Sequence, residues 1–169
     1  GAGVIVGTLQ ADNPDTEASD PLIRIGDVNK GLPFVGSDVD NTMLGLEGND
    51  LLLGQGGGDT LDGGEGNDTL EGGEDDDILW GKDGDDSLIG GEGSDRLHGH
   101  GGDDILNGGA GKDFFFANKG NDVIEDFTFG EDSLQDANNF IWDRENLRLI
   151  DGTDKVEIDV LSKEEDGEK

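Results

Sequence analysis

Large apolar residues recur at a nine-residue step between residues 36 and 125. Each stands between two variable residues, and six residues rich in glycine and aspartate separate one such triplet from the next. One apolar side chain between two variable ones is typical of a short strand with a single inward residue. Glycine at positions one and four of the nine, counted from Gly36, suits turns with positive φ, where a Cβ would clash. The pattern predicts three-residue strands joined by six-residue turns, with inward residues Leu52, Leu61, Leu70, Leu79, Leu88, Leu97, Leu106, Phe115 and Ile124.

Two strands and two turns make a coil of eighteen residues. The predicted fold class is therefore all-β, a parallel β-roll: a two-sheet right-handed β-helix with interlocked leucines inside and turns along both edges. We expect four regions: an N-terminal cap (1–35) carrying the runs GVIVG and PLIRIG, the repeats (36–125), a C-terminal cap (126–161) and a disordered acidic tail (162–169). Alternating apolar residues around Asp151-Gly152 predict a hairpin within the C-terminal cap.

Charge narrows the choice of partners. The chain has 42 acidic against 11 basic side chains and a formal net charge of -31, which repels nucleic-acid phosphates and anionic membranes. With no cysteine it has no disulfide and no thiolate ligand, and no apolar run is long enough to insert into a membrane. Because the chain starts at Gly1 without methionine, we expect a fragment of a longer protein. Neither a basic nor an apolar leader follows Gly1, so we expect no N-terminal signal peptide. The expected partner is a cation.

Aspartate at position six identifies that cation. Stacked coils lie about 4.8 Å apart, so each position-six carboxylate faces the one eighteen residues later. Their repulsion is roughly 1 kcal/mol per pair even in water, and a divalent cation between the turns reverses its sign. Carboxylate and carbonyl oxygens favour calcium over zinc, and over magnesium, which retains more water. We expect about seven Ca²⁺ ions in two edge rows, each ion between two aspartates that lie eighteen residues apart in this set: Asp50, Asp59, Asp68, Asp77, Asp86, Asp95, Asp104, Asp113 and Asp122.

The glycine, aspartate and apolar positions together resemble the nonapeptide G-G-x-G-x-D-x-U-x of the RTX (repeats-in-toxin) family, over residues 36–125. The resemblance implies that carbonyls of positions two and four of one turn, and one and three of the next, complete each calcium site. Carried over, the first site would use Leu46, Gly48, Gly63 and Glu65. The implied carbonyl ligands are Gly48, Gly57, Gly63, Glu65, Gly66, Gly72, Glu74, Gly81, Asp83, Gly84, Gly90, Glu92, Gly93, Gly99, Gly101, Gly102, Gly108 and Ala110.

Three turns depart from the pattern, including that of the last repeat, which opens with Ala117 and Asn118 and is expected to be an edge coil. Asp75 replaces glycine at position four, where aspartate tolerates a left-handed backbone better than most residues, and some strain or a weaker ion is expected. The first repeat has Val39 and Asn41 at positions four and six, so we expect at most a partial site between Asn41 and Asp59.

An aromatic stripe is predicted on the outside of one sheet. Trp80, His98 and Phe116 recur at eighteen-residue spacing, with Arg96 beside them, and such a row is a candidate sugar-stacking platform. The alternative, which we favour, is that the C-terminal hairpin with Phe140–Trp142 covers the stripe.

The resemblance implies a calcium-binding module of a secreted bacterial protein. Such a module leaves the cell unfolded through a type I secretion channel, folds where calcium is abundant and promotes folding of other domains of its parent protein. We expect a monomer and no enzyme, because the carboxylates lie in equivalent turns and not in one pocket. No EF-hand loop occurs, and two histidines without cysteine are weak support for a transition metal. The alternative function is polysaccharide binding, as in the R-modules of alginate epimerases, whose repeats resemble these.

Overall fold

The computed structural model describes residues 4–6, 23–25, 33–128, 130–135, 148–150 and 155–158. These ranges contain strands and turns and no helix, and therefore no helix able to cross a membrane. The strands are β1 (Val4–Val6), β2 (Ile23–Ile25), β3 (Phe34–Val35), β4 (Thr42–Glu47), β5 (Leu51–Gln55), β6 (Thr60–Glu65), β7 (Thr69–Glu74), β8 (Ile78–Asp83), β9 (Ser87–Gly93), β10 (Arg96–Gly101), β11 (Ile105–Gly111), β12 (Phe114–Phe116), β13 (Asn121–Ile124), β14 (Ser133–Leu134), β15 (Arg148–Ile150) and β16 (Lys155–Ile158).

Alternate strands form two stacked sheets. Sheet A has the order β1-β2-β4-β6-β8-β10-β12-β14, and sheet B the order β15-β16-β13-β11-β9-β7-β5-β3. Every pairing is parallel except that of β15 with β16. Within the repeats each residue pairs with the residue eighteen further on, as Leu61 does with Leu79. The predicted all-β parallel β-roll is therefore confirmed.

The core is a double column of position-eight side chains between the sheets. The predicted inward residues from Leu52 to Ile124 are fully buried, and Met43, Ala117 and Phe127 extend the column at its ends. Because each coil places one such residue in each sheet, every leucine packs above and below an equivalent neighbour. The apolar content of the chain is low, but the nine-residue step concentrates it in this column.

The strands are longer than predicted, because those from β4 to β11 run on into the next turn. Positive φ occurs at position four, as expected, and also at position two, where it includes Leu46, Gln55, Lys82 and His100. The residues at position one do not have positive φ. The prediction of left-handed glycine at position one is therefore wrong, and those glycines are required by close packing instead, as described below.

Both ends of the roll continue its sheets. The runs GVIVG and PLIRIG contain β1 and β2, which extend sheet A before the first repeat. At the other end, β15 and β16 form the predicted hairpin, with Leu149 opposite Val156, and β16 pairs with the edge strand β13 of sheet B. A strand satisfies its backbone groups at a free edge and not across an outer face. The expectation that this hairpin covers the stripe on sheet A is wrong for β15 and β16, and Phe140–Trp142 lie outside the described residues.

Candidate metal centre

The position-six aspartates form two columns, one along each edge of the roll, and all nine are buried, with at most 4% of their surface exposed. In each of the seven predicted pairs the later aspartate accepts a hydrogen bond through Oδ1 from the backbone N–H of the earlier one, at 2.6–3.0 Å. The pairs are Asp50–Asp68, Asp59–Asp77, Asp68–Asp86, Asp77–Asp95, Asp86–Asp104, Asp95–Asp113 and Asp104–Asp122. The structure therefore stacks the carboxylates as the sequence predicts.

The second carboxylate oxygen is the unusual feature of these turns. Oδ2 is buried without a hydrogen-bond partner in Asp59, Asp68, Asp77, Asp86, Asp95 and Asp104. A buried polar atom without a partner costs about 1–3 kcal/mol, and more when the group is charged. Six such atoms recur in equivalent positions, and their chemistry fits a cation held in the turns.

Position-one glycine allows this arrangement. A Cβ added to Gly45 would overlap both Oδ2 of Asp50 and the carbonyl oxygen of Gly63 in the next coil. The overlap with Oδ2 recurs at every later position-one glycine up to Gly108, and the overlap with the next coil's carbonyl oxygen recurs at Gly54, Gly72, Gly81 and Gly90. The absence of a side chain at position one thus brings a carboxylate of one coil and a carbonyl of the next towards the same space.

Burial also changes the acidity of these groups. The pKa of Asp77 is raised from 3.8 to about 7, chiefly by desolvation; the hydrogen bond from the Asp59 N–H opposes this, and the neighbouring charges of Asp95 and Asp59 add to it. Desolvation likewise raises the pKa of Asp86 to about 7. Desolvation raises the pKa to about 6 in Asp59, Asp95, Asp104 and Asp113. Without a cation, the fold holds these carboxylates in an environment that disfavours their charge.

Backbone carbonyls face the same turns. A Cβ at Gly64 or Gly66 would overlap the carbonyl oxygen of Leu46 or Gly48 in the preceding coil, so these oxygens point along the stack. Position-three carbonyls on this edge accept hydrogen bonds from position-four N–H groups, as Glu65 does from Gly48 at 2.7 Å. Each such carbonyl keeps a second lone pair. These carbonyl oxygens therefore lie between successive coils.

The donor set fits a hard divalent cation. It consists of carboxylate and carbonyl oxygens, which suit calcium and not a thiophilic metal. In the described part of the chain no three His, Cys, Asp or Glu side chains gather at one metal position, so backbone oxygens must complete any site in the turns. The two histidines do not change this: His98 and His100 stack on each other, 5.8 Å between ring centroids.

Position five carries a second ladder that sequence reasoning missed. Asn49, Asn67, Asp85 and Asp103 each accept, through Oδ1, the backbone N–H eighteen residues later, at 2.9–3.2 Å. The direction is opposite to that of the position-six ladder, whose side chains bond to the preceding coil. The recurrence of Asn or Asp at position five was the available signal.

The structure also extends the position-six column beyond the repeats. Asp113 donates its N–H to Oδ1 of Asp132 at 3.0 Å, and Oδ2 of Asp132 accepts the Thr128 N–H. The separation is nineteen residues instead of eighteen, so the nine-residue step does not reveal it.

The predicted stripe lies on the outer face of sheet A. The rings of His98 and Phe116 stack with centroids 3.9 Å apart and planes 5° apart, and Trp80 lies tilted, 6.2 Å from His98. The Lys82 ammonium lies 5.1 Å from the Trp80 ring centroid. Arg96 is exposed and lies over Phe114, not over the stripe. An open groove of about 480 Å³ adjoins the stripe, lined by Leu44, Leu46, Asp62, Gly64, Glu65, Lys82, Asp83 and His100.

The comparison with protein-family models agrees with this geometry. The model of the RTX calcium-binding nonapeptide repeat matches four times, over residues 35–70, 53–88, 71–106 and 89–124. No curated protein sequence matches the chain. Among solved structures, the extracellular lipase LipA from Serratia marcescens is similar at 17% identity and a TM-score of 0.30, over 88% of this chain and 39% of the lipase. This chain thus spans about two-fifths of the lipase. Since the matched repeats coincide with the stacked coils and cover more than half of the sequence, the chain belongs to the RTX calcium-binding nonapeptide repeat family, whose repeats bind calcium.

Proposed function

We propose that this chain is a calcium-responsive folding module of a secreted bacterial protein, unfolded at low calcium and folded where calcium is abundant. The observation that carries the proposal is the buried Oδ2 atom without a partner, repeated in six aspartates from Asp59 to Asp104. A ligand that binds only the folded chain stabilises it in proportion to the logarithm of its concentration, so metal binding and folding are coupled.

About seven ions are proposed, one for each stacked aspartate pair. The two carboxylates of a pair would hold the ion together with the carbonyls of positions two and four of one turn and positions one and three of the next. Bound calcium would supply positive charge between groups that otherwise repel. The stacked carboxylates and the carbonyl oxygens that lie between successive coils support this ligand set.

The outer charges strengthen the dependence on calcium. Glu47, Glu65 and Asp83 are exposed at position three of sheet A and lie directly opposite one another in successive coils. Like charges directly opposite in a sheet are destabilising. Their repulsion disfavours the stacked coils whenever calcium is absent.

Circular dichroism and small-angle scattering test the proposal. We expect an unfolded profile in chelator at pH 7.5 and a compact β profile after calcium is added, with about seven ions bound by equilibrium dialysis. Asp77→Asn, which alters two neighbouring sites, should weaken binding. Glu71→Gln also removes one negative charge, from an exposed side chain that lies outside the turns, and is the matched control. Equal compactness in chelator and in calcium would refute the proposal.

The place of the module in a larger protein follows from the same chemistry. Calcium is scarce inside cells and abundant outside, so an unfolded chain suits export through a type I channel, and folding outside would help neighbouring domains to fold. The proposal assigns no catalysis to this chain, because its carboxylates recur in equivalent turns. Monomeric folding is expected and can be checked by light scattering.

A second candidate function is polysaccharide binding on sheet A. The groove beside Trp80, with Asp62 and Lys82 in its lining, favours it, because these groups can accept and donate hydrogen bonds to hydroxyls. The stacked faces of His98 and Phe116 argue against it, because each ring covers the other. In a Trp142→Phe variant loaded with calcium, Trp80 fluorescence should change when alginate or another glycan is added. No change across such glycans would remove this candidate.

A further inference from the structure

The first turn of the roll, residues 36–41, is closed by side-chain and backbone hydrogen bonds instead of by shared carboxylates. Oδ1 of Asn41 accepts the Ser37 backbone N–H at 2.8 Å, and Nδ2 of Asn41 donates to the Val39 carbonyl at 2.6 Å. The Val39 carbonyl belongs to position four, the position that supplies a proposed calcium ligand in later turns. An amide N–H group of the protein therefore satisfies this carbonyl oxygen.

The backbone of this first turn also differs from the backbone of the later turns. Position four has positive φ in every later repeat within residues 45–125, whereas Val39, a β-branched residue, does not. Ser37 also lacks the positive φ found at position two from Leu46 to Gly109. Instead, Ser37 and Val39 form a local antiparallel bridge across the turn. The Val39 and Asn41 departures are thus two parts of one alternative turn.

This turn still docks onto the second coil as the others do. Asn41 donates its N–H to Oδ1 of Asp59 at 2.6 Å, Thr60 donates its N–H to the Asn41 carbonyl at 2.9 Å, and Gly58 donates to Asp40. Asp59 is therefore oriented from the side of the first turn, while its Oδ2 stays without a partner.

We propose that Asn41 takes the place of the cation in the first turn, so that this turn binds no calcium, closes without it and presents Asp59 to the first ion. The inference rests on the proposed calcium sites in the later turns. It replaces the partial site expected between Asn41 and Asp59 with a metal-independent end of the roll.

Two variants distinguish a cation substitute from a calcium ligand. Asn41→Leu keeps a similar volume but makes no hydrogen bonds. We expect it to bind the same number of ions as the unmodified chain at saturating calcium, while exchange of the Ser37 amide becomes about fivefold faster because one hydrogen bond of about 1 kcal/mol is lost. Loss of one ion in Asn41→Leu would show that Asn41 is a ligand and would overturn the proposal.

The converse variant restores the repeat consensus. Val39→Gly combined with Asn41→Asp should bind one ion more than the unmodified chain, whereas Asn41→Asp alone should gain none, since Val39 keeps the turn out of the left-handed conformation. An unchanged ion count in the double variant would contradict the proposal. Equilibrium dialysis measures these counts, and absence of calcium binding in the unmodified chain would refute the proposed function instead.

Discussion

In the absence of calcium, acidification should fold this chain. The raised pKa of each buried aspartate means that the folded form binds protons more tightly than the unfolded form does. Each pH unit of that rise corresponds to about 1.4 kcal/mol, so an ionised Asp77, whose pKa rises from 3.8 to about 7, costs the metal-free roll roughly 4 kcal/mol. Six aspartates have pKa values of about 6 or 7. Summed on the same scale, the cost of ionising all six exceeds the whole stability of a typical domain, about 5–15 kcal/mol.

The sign follows from the direction of the pKa change. Protonation stabilises the metal-free roll fully below pH 3.8, and this contribution is lost as the pH rises through 6 to 7. Circular dichroism in chelator should therefore report a coil at pH 7.5 and a β signal on titration towards pH 4, with light scattering to check that the compact form is monomeric.

Asp77→Asn sharpens this experiment, because its amide needs no proton. Its metal-free folding should begin at higher pH than in the unmodified chain. Glu71→Gln removes a charge from an exposed side chain on sheet B and should leave the midpoint unchanged. A chain that stays unfolded in chelator down to pH 4, or one already compact at pH 7.5, would refute the reasoning.

Three further changes probe other parts of the roll. Gly63→Ala would push a Cβ into the carboxylate of its own turn and should lower the free energy of unfolding in calcium by about 1–3 kcal/mol. Gly56→Ala is the control: its Cβ would lie 3.6 Å from the nearest atom, so the free energy of unfolding should not fall. Leu79→Ala empties part of the fully buried column and should cost about 2–5 kcal/mol in urea unfolding at saturating calcium without changing the ion count; a loss below about 1 kcal/mol would contradict the packing described. Phe116→Ala exposes His98, whose pKa burial lowers to about 4, and an NMR titration should find that pKa higher; an unchanged value would exclude burial as its cause.

The coil architecture could be predicted from the sequence because one apolar residue in nine fixes which side chain faces inward. The fully buried series from Leu52 to Ile124 confirms that prediction residue by residue. The stacking of aspartates followed from the same step, since two repeats return the chain to the same edge. In such a fold, the nine-residue repeat of the sequence also determines which residues pair between neighbouring coils.

The details of the turns could not be predicted in this way. The sequence pattern predicted glycine at position one because of positive φ, which these residues do not have. Glycine is required there because a Cβ would overlap Oδ2 of the aspartate in the same turn and, in several turns, the carbonyl oxygen of the next coil. Positive φ at Leu46 and His100 has no local sequence signal, since neither residue favours it. The repeat did not predict the role of Asp132, because Asp132 lies nineteen residues after Asp113 instead of eighteen. Each of these features depends on contacts between coils.

The uniform eighteen-residue register has a consequence for how the chain reaches its native state. Displacing a strand by one whole coil would still place leucine on leucine and aspartate on aspartate. The contacts in the middle of the roll therefore do not favour the native register over one in which a coil has been skipped. Only segments without an equivalent can do so: the turn at Asn41, the strands that precede it, and the Asp132 segment with the hairpin after it. Deleting eighteen residues from the centre should therefore yield a shorter but well-formed roll, whereas exchanging either end for another consensus repeat should produce a mixture of misaligned forms.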